Sequence, residues 1–163
     1  MTTKEKLLAL LEDSKGTFFS GEEIARTLQV SRAAVWKAVN ALREDGYTID
    51  AATNKGYRLS PDSDILSPQG IRRFLKPEYR DLDLTVLPTA PSTNALVREK
   101  ANQGRPEGCV IIACEQTDGR GRYGRQFFSP VDSGVYLSLL LRPTAYSPQQ
   151  ATCLTAAAAA AMC

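Results

Sequence analysis

The sequence predicts an α+β protein: a small helical domain that ends in a β-hairpin, followed by a mixed α/β domain. Residues 1–60 contain three helical segments and then two short strand segments. Residues 61–68 lose this periodicity and are rich in serine, proline and aspartate, as linkers are. Residues 69–163 combine apolar strand segments with helical ones. We therefore expect domains at 1–60 and 69–163, joined by a linker at 61–68.

The first two helices of the small domain are indicated by leucine spacing and by a cap. Leucines at positions 7, 8, 10 and 11 follow helical periodicity over residues 4–11. Residues 20–23, Ser-Gly-Glu-Glu, fit a capping box, in which the serine hydroxyl accepts the N–H three residues on and the glutamate reaches back. Ser31 is the expected cap of a third helix.

The third helix has an apolar side and a basic, hydrogen-bonding side. Val35, Val39 and Leu42 recur at i, i+4 and i+7 and are expected to face inward. Two short consecutive helices match helix-turn-helix geometry, in which the second helix enters the major groove of DNA. Strand segments at 47–51 and 57–59 around the turn at 54–56 complete a winged helix. The residues expected at the DNA are Ser31, Arg32, Ala33, Trp36, Lys37, Lys55 and Arg58.

Within that set, Arg32 is the candidate for a base edge, while Lys37, Lys55 and Arg58 are candidates for phosphate contacts. Trp36 is expected either to be exposed or to pack half-buried against the wing. The other interpretation is that the winged helix mediates protein contacts and that its basic residues are a solvated face. Net charge does not decide between them, because residues 1–60 carry nine basic against eight acidic residues.

The second region begins with Ser67 as an N-cap followed by proline, which predicts a short helix through residue 75. Polar groups are expected to cluster at strand ends in this region. The remaining predicted elements are a strand at 82–87, a turn at 88–91, a helix at 95–102, a buried strand at 109–114, a strand at 135–141 and a helix from Gln149 onward.

The segment 119–125, Gly-Arg-Gly-Arg-Tyr-Gly-Arg, is predicted to be a loop that closes over an anion. Glycine lets the backbone approach a ligand, consecutive N–H groups can form an anion-binding concavity, and arginine is a permanently charged fork for carboxylate or phosphate. Because of its glycines and mutually repelling arginines, we expect the loop to be disordered until an anionic ligand binds. The alternatives are a flexible basic loop and an RGG-like tail that binds nucleic acid.

Composition excludes several chemistries. The chain has no histidine, and its four cysteines form no CxxC pair, so a Cys/His metal site and a histidine general base are not expected. No apolar run approaches the roughly 20 residues that span a bilayer, and the N-terminus does not look like a signal peptide. We therefore expect a cytoplasmic protein that has no membrane partner.

The order of these motifs resembles the bifunctional biotin protein ligases, which also repress biotin operons. The resemblance rests on residues 31–37, the Asn-Lys-Gly-Tyr wing at 54–57, Ser-Thr-Asn at 92–94, and the 119–125 loop with its Phe-Ser-Pro tail. Each motif alone is weak, but together and in this order they are specific. The resemblance implies that the second domain is an incomplete, class II synthetase-like ligase catalytic domain.

The resemblance further implies that biotin and ATP, with Mg²⁺, form biotinyl-5′-adenylate. This adenylate is passed to a lysine of a biotin carboxyl carrier protein, or is held as corepressor while a homodimer binds operator DNA. Arg120 and Arg122 are the implied catalytic residues, and Phe127 stands where the family usually has tryptophan. The implied ligand-binding residues are Ser92, Thr93, Asn94, Gln116, Gly119, Arg120, Gly121, Arg122 and Phe127.

Members of the family continue beyond the segment corresponding to this chain, with a lysine that contacts the ligand and a small C-terminal domain. We therefore expect the 163-residue chain to be a fragment with little activity alone. Two alternatives stay open: a ligand-sensing DNA-binding regulator without ligase activity, and a relative of lipoate ligases. The fused winged helix and the glycine-arginine loop argue against the lipoate alternative.

Overall fold

The computed structural model of the protein describes residues 1–131, 133–143, 147, 150 and 153–161, and for Arg122 it describes the backbone alone. The fold combines helices with two separate sheets, which confirms the α+β class. The chain divides into two compact units, Met1–Asp81 and Leu82–Cys163. The two units are described in turn.

The first unit begins with three capped helices, α1 (Thr3–Asp13), α2 (Gly21–Leu28) and α3 (Arg32–Glu44). Ser20 Oγ accepts from Glu23 N at 3.0 Å, and Ser31 Oγ accepts from Ala34 N at 3.2 Å. Both predicted N-caps are therefore confirmed, and each satisfies a backbone donor that the helix itself leaves unpaired. The helices pack around one apolar core, whose fully buried apolar members are Leu7, Leu11, Ile24, Val35, Val39, Leu42 and, from the hairpin that follows, Leu59.

A two-stranded antiparallel hairpin follows the helices, formed by β1 (Ile49–Ala52) and β2 (Gly56–Leu59). Next to the hairpin turn, β2 is fixed to the segment before α2, because Phe19 and Tyr57 exchange two backbone hydrogen bonds of 2.9 and 2.8 Å. Three helices followed by a hairpin confirm the predicted winged helix-turn-helix.

Residues 61–81 group with the first compact unit, whereas the sequence predicts a linker at 61–68 and a second domain from residue 69. The contact is specific. Helix α4 (Pro68–Arg72) packs on α1, and its cap Ser67 donates a hydrogen bond to the buried carboxylate of Glu12 at 3.3 Å. The helix is shorter than predicted because the amides of Phe74 and Leu75 bond three residues back instead of four. The limits of the independently folding domains remain a prediction.

The second unit contains a three-stranded sheet in the order β3-β4-β5, made of β3 (Asp83–Ala90), β4 (Cys109–Gln116) and β5 (Tyr136–Leu139). Strands β3 and β4 are parallel, and the helix α5 (Thr93–Asn102) connects them, whereas β5 is antiparallel to β4. The mixed sheet confirms the predicted mixed α/β character.

Strand β3 continues through Pro88, where the sequence predicts a turn. The pairs Leu87–Ala113 and Thr89–Glu115 flank the proline in the register with β4. Among the described strands β3 lies at the edge of the sheet, so the N–H that proline lacks removes no essential ladder bond. Sheet pairing therefore extends the strand across a residue that ends most strands.

Val97, Cys109, Ile111 and Leu140 form the small core between α5 and one face of the sheet. Burial raises the pKa of the Cys109 thiol, and the negative charge of Asp83 raises it further. At pH 8 we therefore expect iodoacetamide to label exposed Cys153 at least tenfold faster than Cys109, since the thiolate is the reactive form. Peptide mass spectrometry of partially labelled protein measures both rates. Equal labelling in the folded protein would contradict the burial of Cys109.

The last described helix, α6 (Cys153–Ala161), is rich in alanine. Before it, Ser147 Oγ accepts from Gln150 N at 3.3 Å, whereas the predicted start at Gln149 lies outside the described residues. None of the helices in the described ranges is long and apolar enough to cross a membrane.

Candidate nucleic-acid interface and ligand site

Helix α3 presents the predicted recognition residues on its outer side. Arg32, Ala33 and Lys37 are exposed at the N-terminal end of the helix, and Trp36 is 58% exposed. Arg32, Ala33 and Trp36 border a groove of about 730 Å³ together with the N-terminus of α2 and the tip of the β1–β2 hairpin. Trp36 and the hairpin tip both line this groove. The Trp36 indole therefore lies beside the wing, and the wing does not bury it.

The hairpin cations are partly engaged within the fold. Arg58 pairs with Asp50 at 2.8 Å, and its guanidinium lies 4.6 Å from the centre of the Phe18 ring. Lys55 is exposed, and its Nζ lies 6.0 Å from the same ring centre. Lys55 is therefore better placed for a phosphate contact than Arg58. Both assignments remain predictions.

Arg43 is exposed on α3 and has a structural contact that the sequence did not indicate. Its Nε and Nη2 donate to the carbonyl oxygen of Ile49 at 3.1 and 2.7 Å. These bonds join the last turn of α3 to the first residue of β1 and fix the angle at which the hairpin leaves the helix. A cation near a helix C-terminus also interacts favourably with the helix dipole.

The candidate ligand site of the second unit lies where α5 begins and β4 ends. Ser92 caps α5 by accepting from Ala95 N at 3.5 Å. Thr93 and Asn94 form the first turn of α5, although the sequence places the helix start at Ala95. Ser92 and Thr93 are each only 3% exposed, whereas Asn94 is exposed.

Gln116, the last residue of β4, connects the helix start to Ser129, and Thr93 at the helix start also contacts Ser138. Its Oε1 accepts from Thr93 N at 2.8 Å and from Thr93 Oγ1 at 3.1 Å. Its Nε2 donates to Ser129 Oγ at 3.1 Å, and Thr93 Oγ1 lies 2.9 Å from Ser138 Oγ. Four residues from four separate segments thus form one hydrogen-bonded cluster, which we call the Gln116 cluster: Thr93, Gln116, Ser129 and Ser138.

The glycine-arginine segment forms a hairpin-like loop. Phe127 N bonds to Gly119 O at 2.8 Å, and Gly121 N bonds to Arg125 O at 2.7 Å. The turn is a short 3₁₀ segment at Arg122–Gly124, in which Tyr123 has a left-handed φ of 60°. Gly119 is buried, and a Cβ on it would lie 2.3 Å from Phe127 O. Only glycine therefore allows the returning chain to pass this close.

Arg120, one of the two implied catalytic residues, is engaged in a surface ion pair. Its Nη2 and Nε lie 2.9 and 3.2 Å from Asp118 Oδ2, and its side chain is 70% exposed. An exposed pair of this kind contributes little stability, so an anionic ligand could replace Asp118 at low cost. The side chain of Arg122, the second implied catalytic residue, lies outside what the structure describes.

Of the predicted ligand-binding residues, Thr93, Gln116 and Gly119 are linked through the Gln116 cluster and the loop that passes over it. Phe127 joins them through its backbone, and its ring is partly exposed. Ser129, Ser138 and Asp118 were not singled out from the sequence. The Phe-Ser-Pro tail contains Ser129, but nothing in local spacing indicates that its hydroxyl meets Gln116. No group of three or more potential metal ligands occurs among the residues described.

Two protein-family models match the chain. Residues 3–58 match a helix-turn-helix (HTH) domain, and residues 86–163 match the biotin/lipoate A/B protein ligase family. The first match covers the winged helix, and the second begins within β3 and includes the Gln116 cluster and the loop.

Curated proteins are similar to most of this chain. The bifunctional ligase/repressor BirA of Bacillus subtilis (strain 168) is 40% identical over 142 residues, covering 87% of this chain and 44% of the relative. The proteins of the same name from Escherichia coli (strain K12) and Salmonella typhimurium are 36% and 35% identical, over 86% and 83% of this chain. The chain spans 40 to 44% of the length of these three relatives. The predicted resemblance is therefore confirmed: residues 3–58 match a helix-turn-helix domain, residues 86–163 match the biotin/lipoate A/B protein ligase family, and most of the chain is similar to bifunctional ligase/repressors.

Proposed function

We propose that this chain supplies the DNA-binding and vitamin-binding parts of a biotin protein ligase that is also a biotin-responsive repressor. The protein activates biotin with ATP to biotinyl-5′-AMP and transfers the biotin to a lysine of a biotin carboxyl carrier protein. The observation that supports this most directly is the presence, in one chain, of a winged helix and of the Gln116 cluster beneath a glycine-arginine loop.

The chemistry of the site suits the activation step. Biotin carboxylate and ATP are both anions, so cations and N–H donors must offset their repulsion and the charge that develops on the α-phosphate. Arg120 and Arg122 are the cations proposed for this role, and the glycines at 119 and 121 let the backbone approach the adenylate. Mg²⁺ accompanies ATP as its counter-ion. The short polar side chains of Ser92, Thr93, Asn94 and Gln116 suit recognition of the ureido ring.

Repression is proposed to require a homodimer. A single winged helix makes few phosphate contacts, and the nearly balanced charge of residues 1–60 gives little nonspecific attraction to DNA. Two copies on adjacent half-sites double these contacts. We propose that occupancy of the ligand site promotes dimerisation, so that operator binding strengthens when biotin and ATP are present.

The ligand proposal is tested with thermal unfolding of the chain in the presence of biotin, lipoate or neither, each with ATP and Mg²⁺. Mass spectrometry of the same samples detects biotinyl-5′-AMP. Stabilisation by biotin together with product supports the ligase. Stabilisation by biotin without product, also in a longer form that spans the full length of the relatives, favours a ligand-sensing regulator. Stabilisation by lipoate alone would contradict both.

The DNA proposal predicts that Arg32→Ala weakens binding to the preferred duplex roughly tenfold or more, because one base-edge contact is lost. The duplex is selected by the wild-type protein from a random library, and binding is measured by fluorescence anisotropy. Arg98→Ala is the control, since it removes an exposed arginine from α5 in the other unit. Unchanged binding by Arg32→Ala would show that the recognition-helix assignment is wrong.

A further inference from the structure

Ser129 is the most buried member of the Gln116 cluster that the proposed function does not use. It is 2% exposed, and its hydroxyl joins two segments. Ser129 Oγ accepts from Gln116 Nε2 at 3.1 Å and donates to Phe127 O at 3.2 Å. A backbone bond of 3.0 Å from Gln116 N to Ser129 O runs beside them. The serine is therefore held against the end of β4 through both its backbone and its side chain.

Donor counting fixes the orientation of the Gln116 amide. The backbone N–H of Thr93 can only donate, so the atom that faces it at 2.8 Å must be the amide oxygen. A flipped amide would place two donors against each other. The Thr93 hydroxyl also donates to Oε1, which occupies both acceptor positions of that oxygen. The single hydrogen of the Thr93 hydroxyl is then used, so the Ser138 hydroxyl must donate in its 2.9 Å contact with Thr93.

The same counting leaves one donor for a ligand. The single hydrogen of Ser129 goes to Phe127 O, so Ser129 must accept from Gln116. The Gln116 amide nitrogen carries two hydrogens, and Ser129 takes one of them. The second N–H has no acceptor among the residues that the structure describes, and the side chain is only partly buried. It can therefore donate to an acceptor atom of a bound molecule.

The backbone of the glycine-arginine loop packs against Ser129. A Cβ on Gly119 would lie 2.8 Å from Ser129 Oγ, so the loop backbone passes directly over the serine hydroxyl. We infer that Ser129 is a positioning residue, which aims the free N–H of Gln116 at an acceptor of the ligand. The inference rests on the proposed function for the identity of that ligand, biotin, and adds the residue that orients its recognition.

The first test follows the Gln116 side-chain amide in ¹⁵N-correlated NMR spectra of the whole chain. In the wild type, one Nε2 proton should lie downfield and exchange slowly because Ser129 accepts it. In Ser129→Ala this proton should move upfield and exchange at least several-fold faster. Ser133→Ala is the matched control, since Ser133 donates to Pro130 O at 2.8 Å and does not contact Gln116. An unchanged Gln116 amide in Ser129→Ala would overturn the inference.

The second test adds biotin. The remaining Nε2 proton of Gln116 should move downfield on saturation, and Ser129→Ala should weaken biotin binding roughly fivefold, as expected for one lost hydrogen bond. If biotin bound without changing the chemical shift of this proton, the inference would be overturned, but the proposed function would stand. Absence of any biotin binding would contradict the proposed function, whereas the first test would still decide whether Ser129 orients Gln116.

Discussion

Replacing Gly56 with alanine should lower the free energy of unfolding of the first unit by about 3 kcal/mol, the sum of backbone strain and overpacking. Gly56 has a left-handed φ of 94°, and a Cβ there would lie 2.1 Å from Phe19 O. This carbonyl belongs to the pair of hydrogen bonds that fixes the hairpin to the segment before α2. The substitution should therefore also detach the wing.

Gly46→Ala separates the two causes, because Gly46 has the same φ of 94° but its nearest contact is the end of a side chain, at 3.4 Å. That variant should lose only about 1 kcal/mol from the left-handed backbone. Urea unfolding followed by Trp36 fluorescence measures both, since Trp36 is the one tryptophan in the sequence and borders the hairpin. Equal losses in the two variants would show that the close approach at Gly56 does not matter.

The parts of the fold that could be predicted from the sequence depend on local contacts. Ser20, Ser31 and Ser67 cap helices as expected because a capping bond joins residues three apart, so the pattern that predicts it is short. The inward face of α3 was predicted for the same reason, since helical periodicity alone determines it. At these positions, the local structure that the sequence favours is also the one that the folded protein adopts.

The features that the sequence did not predict depend on distant partners. Strand β3 continues through Pro88 because β4 pairs on both sides of the proline, and propensity cannot indicate that pairing. Residues 61–81 belong to the first unit because Ser67 reaches the buried Glu12, which is 55 positions away. Arg43 is exposed on α3, but helical periodicity does not indicate that its guanidinium bonds to the carbonyl oxygen of Ile49 in the next element.

The same distinction between local signals and distant contacts applies to the candidate site. The motif resemblance identified Thr93, Gln116 and Gly119, because these residue types stand at matching positions of the family. Ser129 and Ser138 were missed because their hydroxyls reach Gln116 and Thr93 across 13 and 45 positions. A serine is common, and only its contacts distinguish a structural hydroxyl from one that orients a ligand-binding group.

Gly119→Ala should abolish biotin binding, with a loss of at least a hundredfold. A methyl group at this position would lie 2.3 Å from Phe127 O and 2.8 Å from Ser129 Oγ. It would force apart the two sides of the loop and push Ser129 away from Gln116, so the loop cations and the cluster would be displaced together. A side chain in a close-packed site cannot be accommodated without such movement.

Gly104→Ala is the control, because Gly104 has a left-handed φ of 77° and open space where the methyl group would lie. Calorimetric titration with biotin, beside a thermal unfolding curve for each variant, separates lost binding from lost folding. We expect Gly104→Ala to bind biotin as the wild type does, and Gly119→Ala to stay folded in its first unit without binding. If Gly119→Ala bound biotin with wild-type affinity, the ligand site would have to lie away from the loop. The loop conformation seen here has no space for the methyl group between Gly119 and Phe127.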